Sequence, residues 1–455
     1  MAAPHAGRPT CLLWQEWALV VLATLIAIAL TFRPAGGDHA YSRLSTVYGL
    51  AYNGTWFIDQ PSGTPENPFE AWTVDKVMVN GVVDQGVMKN GRIISSKPPV
   101  LPLIMTAEFI FLRSVFGLEL GPPGDSAVRG VASNNTDTVI RIVCISLMCV
   151  SYGVTIVFAA KTISLFGVAT AARVFLVAAI ALGTQLFSYA PLITNHVPAA
   201  AFLMGAVYLA MAMSLGAQPP TRGRMLAFGF AAGMVAAIDI PMTIFPAAAG
   251  LILLKRHPYW VLTWAVPAAA LPVFVQSGVL LVVTGSPLPV QMRPETYMYE
   301  NAYWRHPLGI DALAEPKLAY AFHITFGRNG LFLLFPVLLL GPIGTIVALI
   351  RGEEEKGILA LLLAAFGILT LYYVIKTNNY GGESYGFRWF IAAMPVLLIM
   401  AVPAVRRLSK PWHWALPTLM LLVSFYSSFE STLAGWESNR EWTVKTGLFE
   451  SSWKH

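Results

Sequence analysis

Long apolar stretches alternate with short polar connections along this chain, and the length of each stretch is the first indication of its role. Leu12–Phe32, Ile140–Ala160, Val174–Leu186, Val197–Leu215, Met225–Ile238, Met242–Leu254, Tyr259–Val283, Leu331–Ile350, Ile358–Ile375, Trp389–Val405 and Trp412–Phe429 are nearly free of charge. A helix needs roughly 17–25 apolar residues to cross a bilayer. These eleven segments, some of them short and consecutive, therefore predict transmembrane helices. Leu12–Phe32 is too long for a signal-peptide core and has no evident small-residue cleavage site, which predicts a retained first span.

Basic residues orient the spans, because Lys and Arg in short loops favour the cytoplasmic side. Lys161 and Arg173, Arg222 and Arg224, Lys255 and Arg256, Arg351 and Lys356, and Arg406, Arg407 and Lys410 fall in every second short connection. Those loops and the N-terminus with Arg8 are expected inside, and the first span is expected to end outside near Arg33. A further helix, predicted from Pro98 to about Gly117, must then begin and end on one face. It is expected to dip into or lie on the outer leaflet rather than cross; a crossing helix would place all five basic loops outside. External positions follow for segments 33–99, 117–141, 285–330 and 430–455, and for the short connection from Lys376 to Arg388. No fixed-period repeat is visible. The expected fold class is an all-α polytopic membrane protein, one membrane domain over 1–455 with interfacial helices in its first external loop.

Composition agrees with this and narrows the partners. The 455 residues are 56% hydrophobic and 12% charged, with a mean hydropathy of +0.61, whereas a soluble domain carries about 25% charged residues. The formal net charge of +6 is partly the loop asymmetry just described. No basic run interleaved with aromatics points to nucleic acid. Cys11, Cys144 and Cys149 lie in or beside apolar segments and form neither a disulfide framework nor a CxxC metal site. No cofactor is expected, and a divalent metal is not indicated.

Polar residues where loops meet helices on the outer side are the candidates for chemistry. In Asn90-Gly-Arg-Ile-Ile-Ser-Ser-Lys97-Pro98-Pro99, the lysine stands where a polar loop enters an apolar helix through prolines, a position suited to the first helical turn. Lys97 is either a snorkelling lysine at the lipid boundary or a phosphate ligand near free helix N–H groups. After Gly36-Gly37, Asp38 precedes Tyr41, Leu44, Val47, Tyr48 and Ala51, a spacing that predicts an amphipathic helix on the interface with Asp38 at its N-cap. Asp59, Asp75 and Asp84 are further outer-face aspartates near helix ends. Asp239 lies beside Pro241 between two short apolar segments, where broken backbone lines a cavity or a carboxylate caps the next helix. His196 opens a helix after Thr194 and Asn195, as ligand contact or as a hydrogen-bonded anchor. The stretch from Asn378 to Phe390, with Tyr380, Glu383, Tyr385 and Arg388 among its glycines, suits a sugar platform beside an oxyanion clamp. The same residues also suit a tight interfacial turn with an aromatic belt.

Taken together, these residues resemble the GT-C superfamily of polytopic glycosyltransferases, in particular the bacterial branch related to protein mannosyltransferases and lipid A aminoarabinose transferases. The likeness rests on Asp38 just beyond the first span, on the loop ending Lys97-Pro98-Pro99, and on Ser384-Tyr385-Gly386-Phe387-Arg388-Trp389 before a late helix. It implies a polyprenyl-phosphate-linked sugar donor whose lipid stays in the bilayer. It also implies Asp38 as base for the acceptor hydroxyl and Lys97 at the donor phosphate. Arg388, Tyr385, Glu383, His196 and Asp239 are assigned substrate contact from their chemistry. His39 stands where many members have a second acid, and Phe387 where the late element has proline.

The expected function is transfer of a sugar, with inversion, from a polyprenyl-phosphate donor to a hydroxyl of an unspecified acceptor (glycan, lipid or protein). The expected location is the external face of a bacterial inner membrane. A transporter or lipid flippase is the first rival, although transporters concentrate ionisable groups at the midplane. A non-catalytic subunit of an envelope complex is the second.

Overall fold

A computed structural model describes residues 11–31, 37–60, 63, 66–122, 135–433 and 441–449, and of Asp38 the backbone alone. Arg8, Arg33 and the Asp38 side chain lie outside the described residues. Each of the eleven predicted apolar stretches carries helix. In chain order the elements used below are α1 (Trp14–Leu30), α2 (Asp38–Asn53), the strands β1 (Lys76–Val79), β2 (Val82–Asp84), β3 (Val87–Lys89) and β4 (Arg92–Ser95), and α3 (Val100–Phe116). Then come α4 (Asn135–Ser164), α5 (Thr170–Leu182), α6 (His196–Ser214), α7 (Arg222–Ile238), α8 (Ile244–Arg256), α9 (Pro258–Thr284), α10 (Pro336–Arg351), α11 (Lys356–Lys376), α12 (Arg388–Val405) and α13 (Ala415–Leu433).

Among the described residues α4, α6, α9, α11 and α12 are long and apolar enough to cross a membrane, and α1, α5 and α10 are shorter apolar helices. Large apolar side chains such as Leu271, Phe274 and Val282 of α9 stand exposed on the bundle's outer surface. Such a surface is stable only against lipid tails, so the chain is an integral membrane protein of the all-α class. The helices α6 and α12 form the centre, while α9 lies at the periphery with 22% of its apolar window buried. Helices gain no hydrophobic drive from one another in lipid, so close approach of backbones matters. At Gly229 and Gly233 of α7, a Cβ would meet Ala265 O at 2.0 Å and Ala269 O at 2.2 Å of α9. At one end of the bundle, Arg173 of α5 grips the buried Glu16 of α1 with Nε–Oε1 at 2.8 Å and Nη2–Oε2 at 2.6 Å. That pair places the start of α1 beside the basic turn between α4 and α5, as the loop charges lead one to expect.

The first long polar segment departs from the expected purely helical cap. It contains an antiparallel ribbon, β1 with β4 and β2 with β3. Gln85 and Gly86, with φ of 49° and 79°, turn β2 into β3 with the left-handed pair that a two-residue hairpin favours. Asn80-Gly81 and Asn90-Gly91 face each other where the ribbon bends: a Cβ on Gly81 would meet Lys89 O at 2.5 Å, and one on Gly91 would meet Val79 O at 2.5 Å.

Two further expectations are corrected. Gly37 is the N-cap of α2 and Asp38 its first residue. This helix also does not turn a polar face to water, because Ser42, Arg43, Ser45 and Thr46 are as buried as Tyr41, Leu44, Val47 and Tyr48. The reason is tertiary: Ser42 Oγ donates to Asp75 O at 2.6 Å, Asn67 Nδ2 to Ser45 O at 2.9 Å, and α3 packs along the helix. The helix after Lys97 begins at Val100, with Pro99 at its N-cap.

Candidate active site

The ribbon, the start of α2 and the entry to α3 meet at Asp75. This carboxylate lies just before β1, and its own N–H donates to Thr73 Oγ1 at 3.0 Å. Its carbonyl oxygen accepts from Ser42 Oγ at 2.6 Å and from the Ser96 N–H at 3.0 Å. Ser42 and Ser95 share a further hydrogen bond of 2.7 Å. Asp75 Oδ2 is therefore held at a fixed point, where it meets Lys97 Nζ at 2.8 Å and His39 Nδ1. The segment 285–330 covers the same place. Trp304 Nε1 donates to Val74 O at 3.1 Å, the Met88 N–H to Met298 O at 2.6 Å, and the Gln291 amide to Ser96 O.

The helices α2, α6, α7 and α12 bring further charge. Arg43, one turn after His39 on α2, donates from Nη1 to His39 O at 2.7 Å and from Nη2 to Asn195 Oδ1 at 2.9 Å, which ties α2 to the start of α6. The next residue, His196, places Nδ1 2.6 Å from Asp239 Oδ2 at the break after α7. Pro241 there forces a 3₁₀ turn, Ile240–Thr243, and Asp239 stays buried among helix ends. Arg388 opens α12 and is buried. Gly381 and Gly382, with φ of 88° and 76°, pass so near its side chain that a Cβ on Gly381 would lie 3.2 Å from Arg388 Cγ. Glycine serves both the left-handed backbone and the close approach there.

The electrostatics follow from this crowding. Burial would push the Asp75 carboxyl up, but His39 and Lys97 outweigh it and hold the group well below the usual carboxylate range. Burial and the Arg388 guanidinium hold His39 well below its ordinary value despite Asp75. Asp75 is thus ionised and His39 neutral, which puts the imidazole proton on Nδ1, donating to Oδ2. Burial, with Arg43 and Arg388 nearby, lowers Lys97 to about 8 even though Asp75 opposes the shift. Burial likewise lowers Arg43 to about 10. Arg43 and Arg388 both act on Lys97, and buried positive charge of this kind favours anions.

Lys97 also lines a small, mainly apolar pocket of about 20 Å³ together with Trp56, Ile94, Pro102 and, from α9, Val279, Leu280 and Val283. The pocket sets the ammonium against apolar side chains of the peripheral helix α9. The lowered Lys97 value carries a sign that can be checked. Below about 8 the ammonium is charged in the fold at a cost; this cost is relieved as pH rises from about 8 toward 10.5, where the unfolded chain still holds the proton. An anion bound at Lys97 meets the opposite trend, because its partner discharges above about 8. Affinity for a singly charged polyprenyl phosphodiester should fall by up to about tenfold per pH unit there. Lys97→Arg should flatten that limb, since guanidinium stays charged; equilibrium binding across pH checks both.

Arg388 lies near enough to act on Lys97 and on His196, and Asp239 near enough to act on Arg43. Asp38 begins the helix that carries His39 and Arg43, and its side chain lies outside the described residues. Tyr385 is placed differently from the sugar platform expected of it. It is fully buried, its hydroxyl donates to Glu430 Oε2 at 2.6 Å, and its carbonyl accepts from the Gln185 amide. The Trp442 N–H reaches the same Glu430 oxygen at 3.0 Å, so Tyr385 anchors the late loop to α13 and the tail. Glu383 is exposed, and none of the described hydrogen bonds uses its side chain.

Asp75 and Arg43 were the functional positions that sequence reasoning passed over or left unweighted. Asp75 was one of several outer aspartates, and no local pattern separates it from Asp59 or Asp84. Arg43 sits four residues after His39 on the face that helical spacing assigns to water. Among the described residues no group of three or more His, Cys, Asp or Glu side chains is arranged to hold a metal.

No protein-family model matches the chain, and no curated protein matches its sequence. Among solved structures, the chain is similar to ArnT from Cupriavidus metallidurans bound to undecaprenyl phosphate, with 15% identity and a TM-score of 0.44. The similarity covers 90% of this chain and 63% of that one, so the chain spans less than two thirds of the ArnT length.

Proposed function

We propose that this protein is a membrane glycosyltransferase that takes a sugar from a polyprenyl-phosphate donor and passes it to an acceptor hydroxyl on the extracytoplasmic face. The observation that carries the reading is the Lys97–Asp75 pair, with Arg43 and Arg388 near enough to act on Lys97, beside a small apolar pocket lined by α9. A free anion would not need the pocket, and an uncharged lipid would not need the cations. A lipid with a phosphate head uses both.

In this reading the polyprenyl chain lies along α9, and its phosphate meets Lys97 and Arg388. The acceptor hydroxyl attacks the anomeric carbon from the opposite side, the bond from that carbon to the phosphate oxygen breaks with its electron pair on the phosphate, and the configuration inverts. Asp38, at the start of α2, is the base for the hydroxyl. Arg388 supplies a planar fork suited to phosphate oxygens. The His196–Asp239 pair stands on the wall formed by α6 and α7 and is assigned to the sugar. A midplane transporter is disfavoured because the buried ionisable groups of this cluster gather at helix ends.

The test is incubation of the purified protein with polyprenyl-phosphate sugars labelled in the sugar, following loss of label from the lipid with and without candidate acceptors. Label leaving the lipid in wild type, and remaining there in Lys97→Ala, supports the reading. Stable binding of the lipid with no transfer to any acceptor, together with lipid movement between leaflets, would transfer support to the flippase.

A further inference from the structure

Sugar transfer from a phosphodiester has a charge consequence that the cluster around Asp75 is built to meet. The donor phosphate carries one negative charge; after the bond to the anomeric carbon breaks, the polyprenyl phosphate carries two, and the acceptor hydroxyl has released one proton. Lys97, Arg43 and Arg388 are already cationic at neutral pH and have little or no room for that proton. His39 is different. Its Nδ1 is fixed against Asp75 Oδ2, the same oxygen that binds Lys97 Nζ at 2.8 Å, so the imidazole is locked next to the ammonium assigned to the phosphate. Asp75 faces it from the ribbon, Lys97 from the entry to α3, Arg388 from α12 and Arg43 from its own helix.

We propose that His39 holds the proton released by transfer, becoming an imidazolium between the Asp75 carboxylate and the doubly charged product phosphate. The balance is complete: the hydroxyl gives its proton to the Asp38 base, the oxygen bonds to the anomeric carbon, the leaving oxygen keeps the old bond pair, and the base passes the proton on to His39 Nε2. Release of the lipid phosphate then returns the proton to water. The same geometry couples the two cations. When a phosphate draws Lys97 away from Asp75, the whole carboxylate charge is left to the imidazole, which favours its protonated form. In the resting site Arg388 and burial keep His39 neutral, which leaves it ready to accept.

This inference rests on the glycosyltransferase reading, and its test separates the two. Polyprenyl monophosphate, and a polyprenyl methyl phosphodiester that holds one charge at any pH, are titrated into the detergent-solubilised full chain. Proton uptake is measured by calorimetry in buffers of different ionisation enthalpy. Near about pH 7 a phosphate monoester is already largely doubly charged, so uptake reports the protein. Wild type should take up about one proton per monophosphate bound and clearly less with the diester. His39→Gln should bind the diester as wild type does, which shows it folded, and should lose most of the uptake with the monophosphate. His39→Asn provides a second variant should the first fail to fold. Uptake that is unchanged in a folded His39 variant overturns the inference while leaving the function standing. Failure of wild type to bind either lipid removes both.

Discussion

Asp75→Ala is expected to be the most destabilising single change in the polar segment between α2 and α3, lowering stability by about 3–5 kcal/mol. The carboxylate holds the Lys97 ammonium at 2.8 Å and the His39 ring, both largely buried. Removing it leaves the Lys97 ammonium without its carboxylate partner while Arg43 and Arg388 still act on it. Desolvated charge without a partner costs more than the pair itself is worth. The depressed Asp75 value gives the pH sign: the stabilisation is complete above the ordinary value of 3.8 and fades only as pH falls through the lower value in the fold. Mild acid around that ordinary value should therefore leave this tie in place. A second consequence distinguishes charge from packing. The variant's Lys97 ammonium should seek an anion, so saturating polyprenyl phosphate should raise its melting temperature by more than it raises that of wild type. An equal rise in both proteins would mean that Asp75 acts as a packing group and not as a counter-charge.

Asp38→Asn and Lys97→Ala are expected to fail in opposite ways. The first removes a proton acceptor and keeps the cations, so donor lipid should bind normally while transfer falls by about 10²–10⁴-fold. The second removes a charge that meets the phosphate before and during departure. Affinity should weaken, and the rate at saturating donor should fall by about 10²–10³-fold, since a preorganised donor to developing charge is worth about 3–4 kcal/mol. Single-turnover rates measured across donor concentration separate the two patterns. Undiminished transfer by Asp38→Asn would take the base away from that residue.

The helices could be read from the sequence because lipid imposes one strict rule, a long run of apolar residues for each crossing. The stretches Ile358–Ile375 and Trp389–Val405 became α11 and α12 within a residue or two at each end. Lys97, Arg388, His196 and Asp239 could be found for a related reason: an ionisable group at the edge of an apolar helix is conspicuous. Asp75 and Arg43 were less visible. Asp75 gains its meaning from Lys97 and His39, which lie 22 and 36 residues away in the chain, and helical spacing has no way to show that the polar face of α2 is covered by a ribbon. The ribbon itself was signalled only by Asn80-Gly81 and Asn90-Gly91, flanking strands of three and four residues. Tyr385 shows the reverse problem. An aromatic ring beside glycines and an arginine suits a sugar, yet its hydroxyl belongs to Glu430, 45 residues later.

In the proposed reading a shared phosphate joins these residues into one centre, and a double-mutant cycle on lipid affinity measures that sharing. Binding of polyprenyl phosphate is compared for wild type, Lys97→Ala, Arg388→Ala and the double variant, with thermal melting used to confirm that each is folded. Two cations on one phosphate should each cost affinity, and their losses should depart from additivity by about 0.5–3 kcal/mol. Losses that add independently, or an Arg388→Ala protein that binds the lipid as tightly as wild type, would mean that Lys97 and Arg388 do not serve the same phosphate.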